Sequence, residues 1–354
     1  MHRRLLPPAR LAVCALAAAG IAQGAAAEVQ PISRAGILAL SHSIGRVEAQ
    51  LDNGRLGIGS AITIARGMLV TNCHVTAQAV SIKVIGGGMP WHATEQVADM
   101  THDVCFLRVP GWPNPPVLLR GASPLRVGDA VSALGYTALA MTLRTGAITA
   151  LHAHEDGRVI ETDTVFNSGA SGGGLFDAEG ALIGMLTFRM RGSSGHYFSV
   201  PMQWIRERLP RENQWLVIAP LGTGMPFWAG DIDHLPLFMR AASLEDQQRW
   251  SDLRGVAEFW TVQDPDSADA YLALGIAMRR LSATEAAIEN LSRAVALAPD
   301  NATAWFNLGQ AYRASGNWGG LQRVLDRLAE LDAVLGSRLR RESQQSETSG
   351  EVTQ

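Results

Sequence analysis

Between residues 37 and 200 the chain offers only short β-prone runs, each closed by Gly, Pro, Asn or Asp, and no sustained 3.6-residue periodicity. Residues 61–64, 69–71, 81–85, 105–109, 130–134, 146–151 and 182–187 are the clearest of them. Runs this short cannot bury an amphipathic helical face, whereas many of them at regular spacing make an all-β sandwich or barrel. Residues 111–124 carry Pro113, Pro115, Pro116 and Pro124 and divide the series into two halves. A short helix beginning within residues 201–205 closes it.

After Pro210 the pattern changes. Residues 213–261 read as a linker, mixing apolar pieces with Gly222, Gly224, Pro226 and Gly230 before a predicted helix over 244–261. Beyond it the chain repeats itself at an offset of 34, pairing Pro265 with Pro299, Ala270 with Ala304, Tyr271 with Trp305, Leu274 with Leu308, Gly275 with Gly309 and Leu297 with Leu331. An aromatic, a Leu-Gly pair, small residues and a terminal proline at this period form the tetratricopeptide signature. Small residues let two antiparallel helices approach closely, and the proline ends the second. The repeats are expected over residues 262–342, capped by the helix before them and by the run 333–342, and as stacked helix pairs they are expected to recruit a protein partner or substrate. Residues 343–354 are too polar to pack and are expected to form a disordered tail.

The chemistry sits in the β-rich part. Residues 167–177, Asn-Ser-Gly-Ala-Ser-Gly-Gly-Gly-Leu-Phe-Asp, place Ser171 in a turn built almost wholly from glycine. A serine that attacks a carbonyl needs backbone N–H groups aimed at the oxyanion that forms, and only small residues let the main chain curl around it. Gly169 and Ser171 are the expected donors. Upstream, Thr71-Asn72-Cys73-His74-Val75 ends an apolar run with a histidine, and Asp103 opens another with a carboxylate. The order His74, Asp103, Ser171 is that of the chymotrypsin-type triad, with serine as nucleophile, histidine as base and aspartate holding the imidazole.

These segments do not stand alone. With Gly57-Ile58-Gly59-Ser60-Ala61, residues 103–109, Val127-Gly128-Asp129-Ala130-Val131, Thr145-Gly146, residues 162–173, Leu182-Ile183-Gly184 and residues 195–201, they make residues 35–207 resemble the trypsin-like serine peptidases of the bacterial Deg/HtrA type. Ala61 stands where that family usually has a second glycine and Ala170 where asparagine is common; neither substitution removes a catalytic group. The resemblance implies a protease domain over residues 28–212, two packed six-stranded barrels with the active site in their cleft. It implies a substrate pocket with Val165 at its base, Thr187, Phe188 and Arg189 as one wall, and Gly195 with Tyr197 opposite. Arg189 would narrow the pocket mouth, pair with an acidic side chain, or point to solvent. The family's peptide-binding PDZ domain has no counterpart, since the C-terminal third reads as helical. The function implied is that of a serine endopeptidase acting on polypeptides. The alternative is a non-hydrolytic peptide-binding or assembly adaptor on a protease-like barrel.

A length of 354 residues suits two domains, and a net charge of −3 does not point to nucleic acid or an anionic membrane as a partner. Residues 1–27 have a basic start, an apolar run over 11–22 and Ala25-Ala26-Ala27, the pattern of a cleaved signal peptide. A periplasmic or secreted protein with no membrane anchor after cleavage is therefore expected. Removal of Cys14 with the leader leaves Cys73 and Cys105, each beside a triad residue. They form either a disulfide in an oxidising compartment or two buried thiols. His102 is expected on the surface, on the opposite side of the chain from Asp103. Residues 152–156, His-Ala-His-Glu-Asp, are expected to form a solvated hairpin tip rather than a metal site, and the serine mechanism calls for no metal or cofactor.

Overall fold

The computed structural model describes residues 32–121, 123–190, 196–222 and 224–350, with side chains through residue 345. The expected signal peptide and Gly195 lie outside the described residues. A first group of strands comprises β1 (Ile44–Leu51), β2 (Leu56–Ala65), β3 (Met68–Thr71), β4 (Ala79–Gly86), β5 (Met89–His92), β6 (Glu95–Asp99) and β7 (Val104–Arg108). A second comprises β8 (Ala130–Thr137), β9 (Ala140–His154), β10 (Gly157–Thr162), β11 (Gly174–Phe176), β12 (Leu182–Arg189) and β13 (Tyr197–Pro201), followed later by a short β14 (Leu216–Val217).

The second group closes into a six-stranded barrel in the order β10-β13-β12-β11-β8-β9. In the first, the six-strand span β6-β7-β3-β2-β1-β4 is antiparallel throughout and is extended at its ends by β14 and β5. Alternating inward side chains fill each half: Val47, Leu69, Ile82, Val84 and Leu107 in one, Val131, Ile148, Ile160, Leu175 and Leu186 in the other. A third buried layer, including Ile44, Val70, Phe106, Leu134, Phe176 and Leu182, packs the halves together. Helices in this part are short: α1 (Arg34–His42), α2 (Cys73–Thr76) and the closing α3 (Met202–Glu207).

The C-terminal part is helical. It comprises α4 (Leu237–Asp246), α5 (Trp250–Gln263), α6 (Ala268–Arg280), α7 (Thr284–Leu297), α8 (Ala302–Ala314), α9 (Trp318–Leu331) and α10 (Ala333–Gly350). The repeat is the pair of hairpins α6/α7 and α8/α9. Ser267, Asn301 and Asn317 cap their helices by accepting the backbone N–H three residues on, which accounts for polar residues recurring at these starts. Gly275 lies against Leu291, and Gly309 against Val324 and Leu339; a Cβ at either position would crowd those side chains apart.

Three expectations are corrected here. Residues 213–261 are not a linker: β14 joins the first sheet, and Phe238, Met239, Leu244, Leu253 and Trp260 are buried in one continuous core with the barrel. The helix over 244–261 is two helices, broken where Gln248 takes a φ of 56°. The tail is not disordered from 343, because α10 continues to Gly350. It is held to α8 by Gln310 and Arg313, which donate to Glu342, while Ser343 is buried.

Barrel and helices meet across buried charge. His152 on β9 has Glu161 Oε2 2.7 Å from Nε2 and Asp269 Oδ2 of α6 3.0 Å from Nδ1, and its ring stacks on Phe238 of α4 at 4.3 Å. His196 Nδ1 bonds the other oxygen of Glu161 at 2.6 Å. Burial disfavours the charged form of His152, but Asp269 and Glu161 outweigh it and push its pKa up to about 10. Burial likewise opposes ionised Glu161, yet His152 and His196 hold it down to about 2. The expected solvated hairpin tip is thus wrong at His152, which is 7% exposed because α4 and α6 cover it. His102 is also buried rather than superficial. Asp99 bonds its Nδ1 at 2.8 Å, Glu155 lies 2.7 Å from its Nε2, and Trp204 packs edge-on against its ring. Its Nε2, with Glu155 and Asp156, brings ligand-type atoms within 4.8 Å of one another, but the Arg208 guanidinium already sits 2.8 Å from that nitrogen.

Candidate active site

His74 rides on α2, a single helical turn entered directly from β3. Asn72, fully buried before it, donates from Nδ2 to the Asp103 carbonyl at 3.0 Å and to Thr187 Oγ1 at 3.3 Å, and so ties the turn to both halves. Cys73 and Cys105 are joined as a disulfide with Cα atoms 4.9 Å apart, which pins the same turn to β7.

Asp103 occupies the bend between β6 and β7 with a φ of 58°, a left-handed conformation that aspartate tolerates better than most residues. Its carboxylate is fully buried and holds three donors. Oδ1 accepts the His74 backbone N–H at 2.8 Å, and Oδ2 lies 2.6 Å from His74 Nδ1 and accepts Trp228 Nε1–H at 3.1 Å. An ionised carboxylate can only accept, so the proton of a neutral His74 sits on Nδ1 and Nε2 keeps its lone pair. Trp228 also meets the His74 ring edge-on, centroids 5.2 Å apart.

Ser171 lies in the glycine-rich turn before β11. Its carbonyl accepts the Ser60 N–H at 2.8 Å, while Ser60 Oγ donates to the Gly169 carbonyl at 2.8 Å and accepts the Tyr136 N–H at 2.8 Å. Ser60 on β2 therefore clamps the turn from the opposite half. Gly172 has a φ of 84°, and a Cβ there would overlap the Ser60 carbonyl, so glycine is required on both counts. Within the turn the N–H groups of Ala170, Gly172 and Gly173 bond Asn167, Leu186 and Ala170 carbonyls. Those of Gly169 and Ser171 donate to no protein acceptor among the described residues. Ser171 Oγ donates to the Thr187 carbonyl at 3.1 Å rather than to His74.

The side chains assigned to a substrate pocket are distributed unevenly. Val165 is 50% exposed and Arg189 is exposed, whereas Thr187 and Phe188 are buried. The Phe188 ring is stacked between Phe198 at 4.8 Å and Trp228 at 5.1 Å, so it faces inward. Arg189 pairs with Tyr197 across β12 and β13, and the Tyr197 ring lies 5.3 Å from that of Phe166, next to Val165. Sequence reasoning did not single out Asn72, Ser60 or Trp228. The first two lie inside motifs it had read, and the only trace of Trp228 is the Phe227-Trp228 pair in a glycine-rich stretch.

Residues 59–185 match the family model "Trypsin-like peptidase domain", and residues 279–316 match "TPR repeat". Serine protease HTRA1B of Danio rerio is 31% identical over 163 residues, which cover 43% of this chain and 34% of that one. Periplasmic serine endoprotease DegP of Salmonella typhimurium is 32% identical over 162 residues, again 43% of this chain and 34% of the relative. The chain thus spans about a third of the length of these relatives. A solved structure of the HtrA-type protease AlgW with tripeptide is 28% identical, covering 49% of this chain and 60% of its own, with a TM-score of 0.45. By sequence, residues 59–185 therefore match a trypsin-like peptidase domain and are similar to proteases named HTRA and DegP, and residues 279–316 match a TPR repeat.

Proposed function

We propose that the protein is an exported serine endopeptidase, acting on polypeptides in the periplasm or outside the cell. Ser171 attacks the scissile carbonyl, His74 takes its proton through Nε2 and returns it to the leaving amine, and Asp103 holds the imidazole and stabilises its charged form. The Gly169 and Ser171 N–H groups receive the oxyanion. The observation that carries this reading is the committed carboxylate of Asp103, whose 2.6 Å contact with Nδ1 leaves His74 only Nε2 with which to act as a base. Val165, Arg189, Gly195 and Tyr197 would line the pocket for the residue before the cleaved bond, with Thr187 and Phe188 contributing backbone. The helical repeats would engage a protein partner or substrate.

One observation favours the second reading, a non-hydrolytic adaptor: the Ser171 hydroxyl bonds the Thr187 carbonyl. Turnover requires that this O–H be turned from the Thr187 carbonyl to His74 Nε2. A fluorophosphonate probe decides between the two. Labelling of the wild type at Ser171, abolished in Ser171→Ala together with an on the order of 10⁶-fold loss of peptide turnover, supports the peptidase. A folded wild-type protein that takes up no probe refutes it.

A further inference from the structure

We infer that Trp228 is a positioning residue of the triad, supplied by the segment that leads into the helical region. The inference rests on the peptidase reading and adds to it a group outside the peptidase-domain match, which ends at residue 185. Three contacts fix the indole. Its Nε1–H donates to Asp103 Oδ2 at 3.1 Å, its edge meets the His74 ring at 90°, and its face stacks on Phe188 with planes 15° apart. A fully buried carboxylate needs every donor within reach, since an unsatisfied charged oxygen costs more than an ordinary lost hydrogen bond. The indole N–H is the third donor, and the one supplied from outside the two strand groups.

The segment is itself anchored. The Phe227 N–H donates to the Thr101 carbonyl at 2.9 Å, on the bend that carries Asp103. The Phe227 ring packs against Phe188, His154 and Trp204 at centroid distances of 5.9, 4.9 and 5.7 Å. From there the chain runs to α4, whose Phe238 stacks on His152. The indole is thus placed over Asp103 and His74 by contacts to the bend and to β12, at the start of the segment that leads into α4. The other titratable groups of the bend, Asp99 and His102, are engaged with Arg208 and Glu155, and Asp103 and His74 remain as the pair that the Trp228 N–H addresses.

Removing the N–H while keeping an aromatic ring isolates this role. In Trp228→Phe the Asp103 carboxylate loses one donor and puts more negative charge on the imidazole, which favours protonated His74. The acid limb of kcat/KM should move about one unit to higher pH, the worth of one hydrogen bond. The kcat for a short peptide should fall about tenfold with KM unchanged. An unshifted limb with wild-type kcat overturns the inference, as does a KM effect alone. A second measurement needs no variant and no turnover. In ¹⁵N-tryptophan-labelled full-length protein, the Trp228 indole N–H resonance should titrate together with the His74 Nδ1–H proton. A Trp228 resonance that stays fixed while the His74 proton titrates overturns the inference even if Trp228→Phe fails to fold. Absence of fluorophosphonate labelling in the wild type would instead sink the peptidase reading and leave this resonance test standing.

Discussion

Replacing His152 by Gln should uncouple the helices from the barrel and remove a specific pH dependence of stability. His152 is buried between Glu161 and Asp269, so the variant leaves Glu161, nearly buried and then helped only by His196, and the partly exposed Asp269 without their shared cation. Removing one partner from a buried ion network costs about 3–5 kcal/mol. Linkage gives the sign of the accompanying pH dependence. The folded pKa is raised from 6.5 to about 10, so the stabilisation is complete below pH 6.5 and is lost as pH rises through about 10. Glu161, lowered to about 2, acts oppositely: its share is present above the usual carboxylate range and is lost as pH falls through about 2. Urea unfolding followed by tryptophan fluorescence from pH 6 to 10 should show wild-type stability falling steadily, with a markedly flatter profile for His152→Gln. The background is favourable, because Lys83 is the only lysine in the sequence. Parallel profiles for the two proteins would refute the assignment of this charge to the interface.

Two further outcomes are expected. The Cys73–Cys105 bridge, with a sequence separation of 32, should stabilise the folded protein by roughly 3–4 kcal/mol on the chain-entropy model; recovery of both cysteines as free thiols on non-reducing peptide mapping rules the bridge out. A chain ending near Glu212 loses β14, Trp228 and the helices over His152, and should lose fluorophosphonate reactivity even where circular dichroism shows it folded. A chain ending at Pro299 keeps α4 to α7 and the continuous core and should retain that reactivity; equal reactivity of the two truncations would restore the picture of an independent protease domain.

What the sequence made legible follows the range of the interactions involved. The strand runs and the 34-residue repeat are local patterns, set by backbone sterics, side-chain alternation and close packing, and they appear where expected. The boundary at 212 rests on a local change of composition, and composition is silent about what a segment packs on. Glycines and prolines in residues 213–236 exclude long helix or strand, as the sequence implied, yet the same residues let the chain follow an irregular path back to the bend holding Asp103. The Trp228 contact joins positions 125 residues apart, and nothing within either segment announces the other. His152 was misplaced for a related reason: a histidine beside Glu and Asp near a hairpin looks solvated until a second element supplies the charge and the aromatic face that bury it. Both errors have one physical origin. Composition around a turn does not announce the tertiary partner that will cover a polar or aromatic side chain there. Here the helical region supplies the partner in both cases, Asp269 and Phe238 for His152 and the anchored approach of Trp228 for Asp103. The helices thus bury the charge network on β9, and the segment that leads into them supplies the third donor to the Asp103 carboxylate.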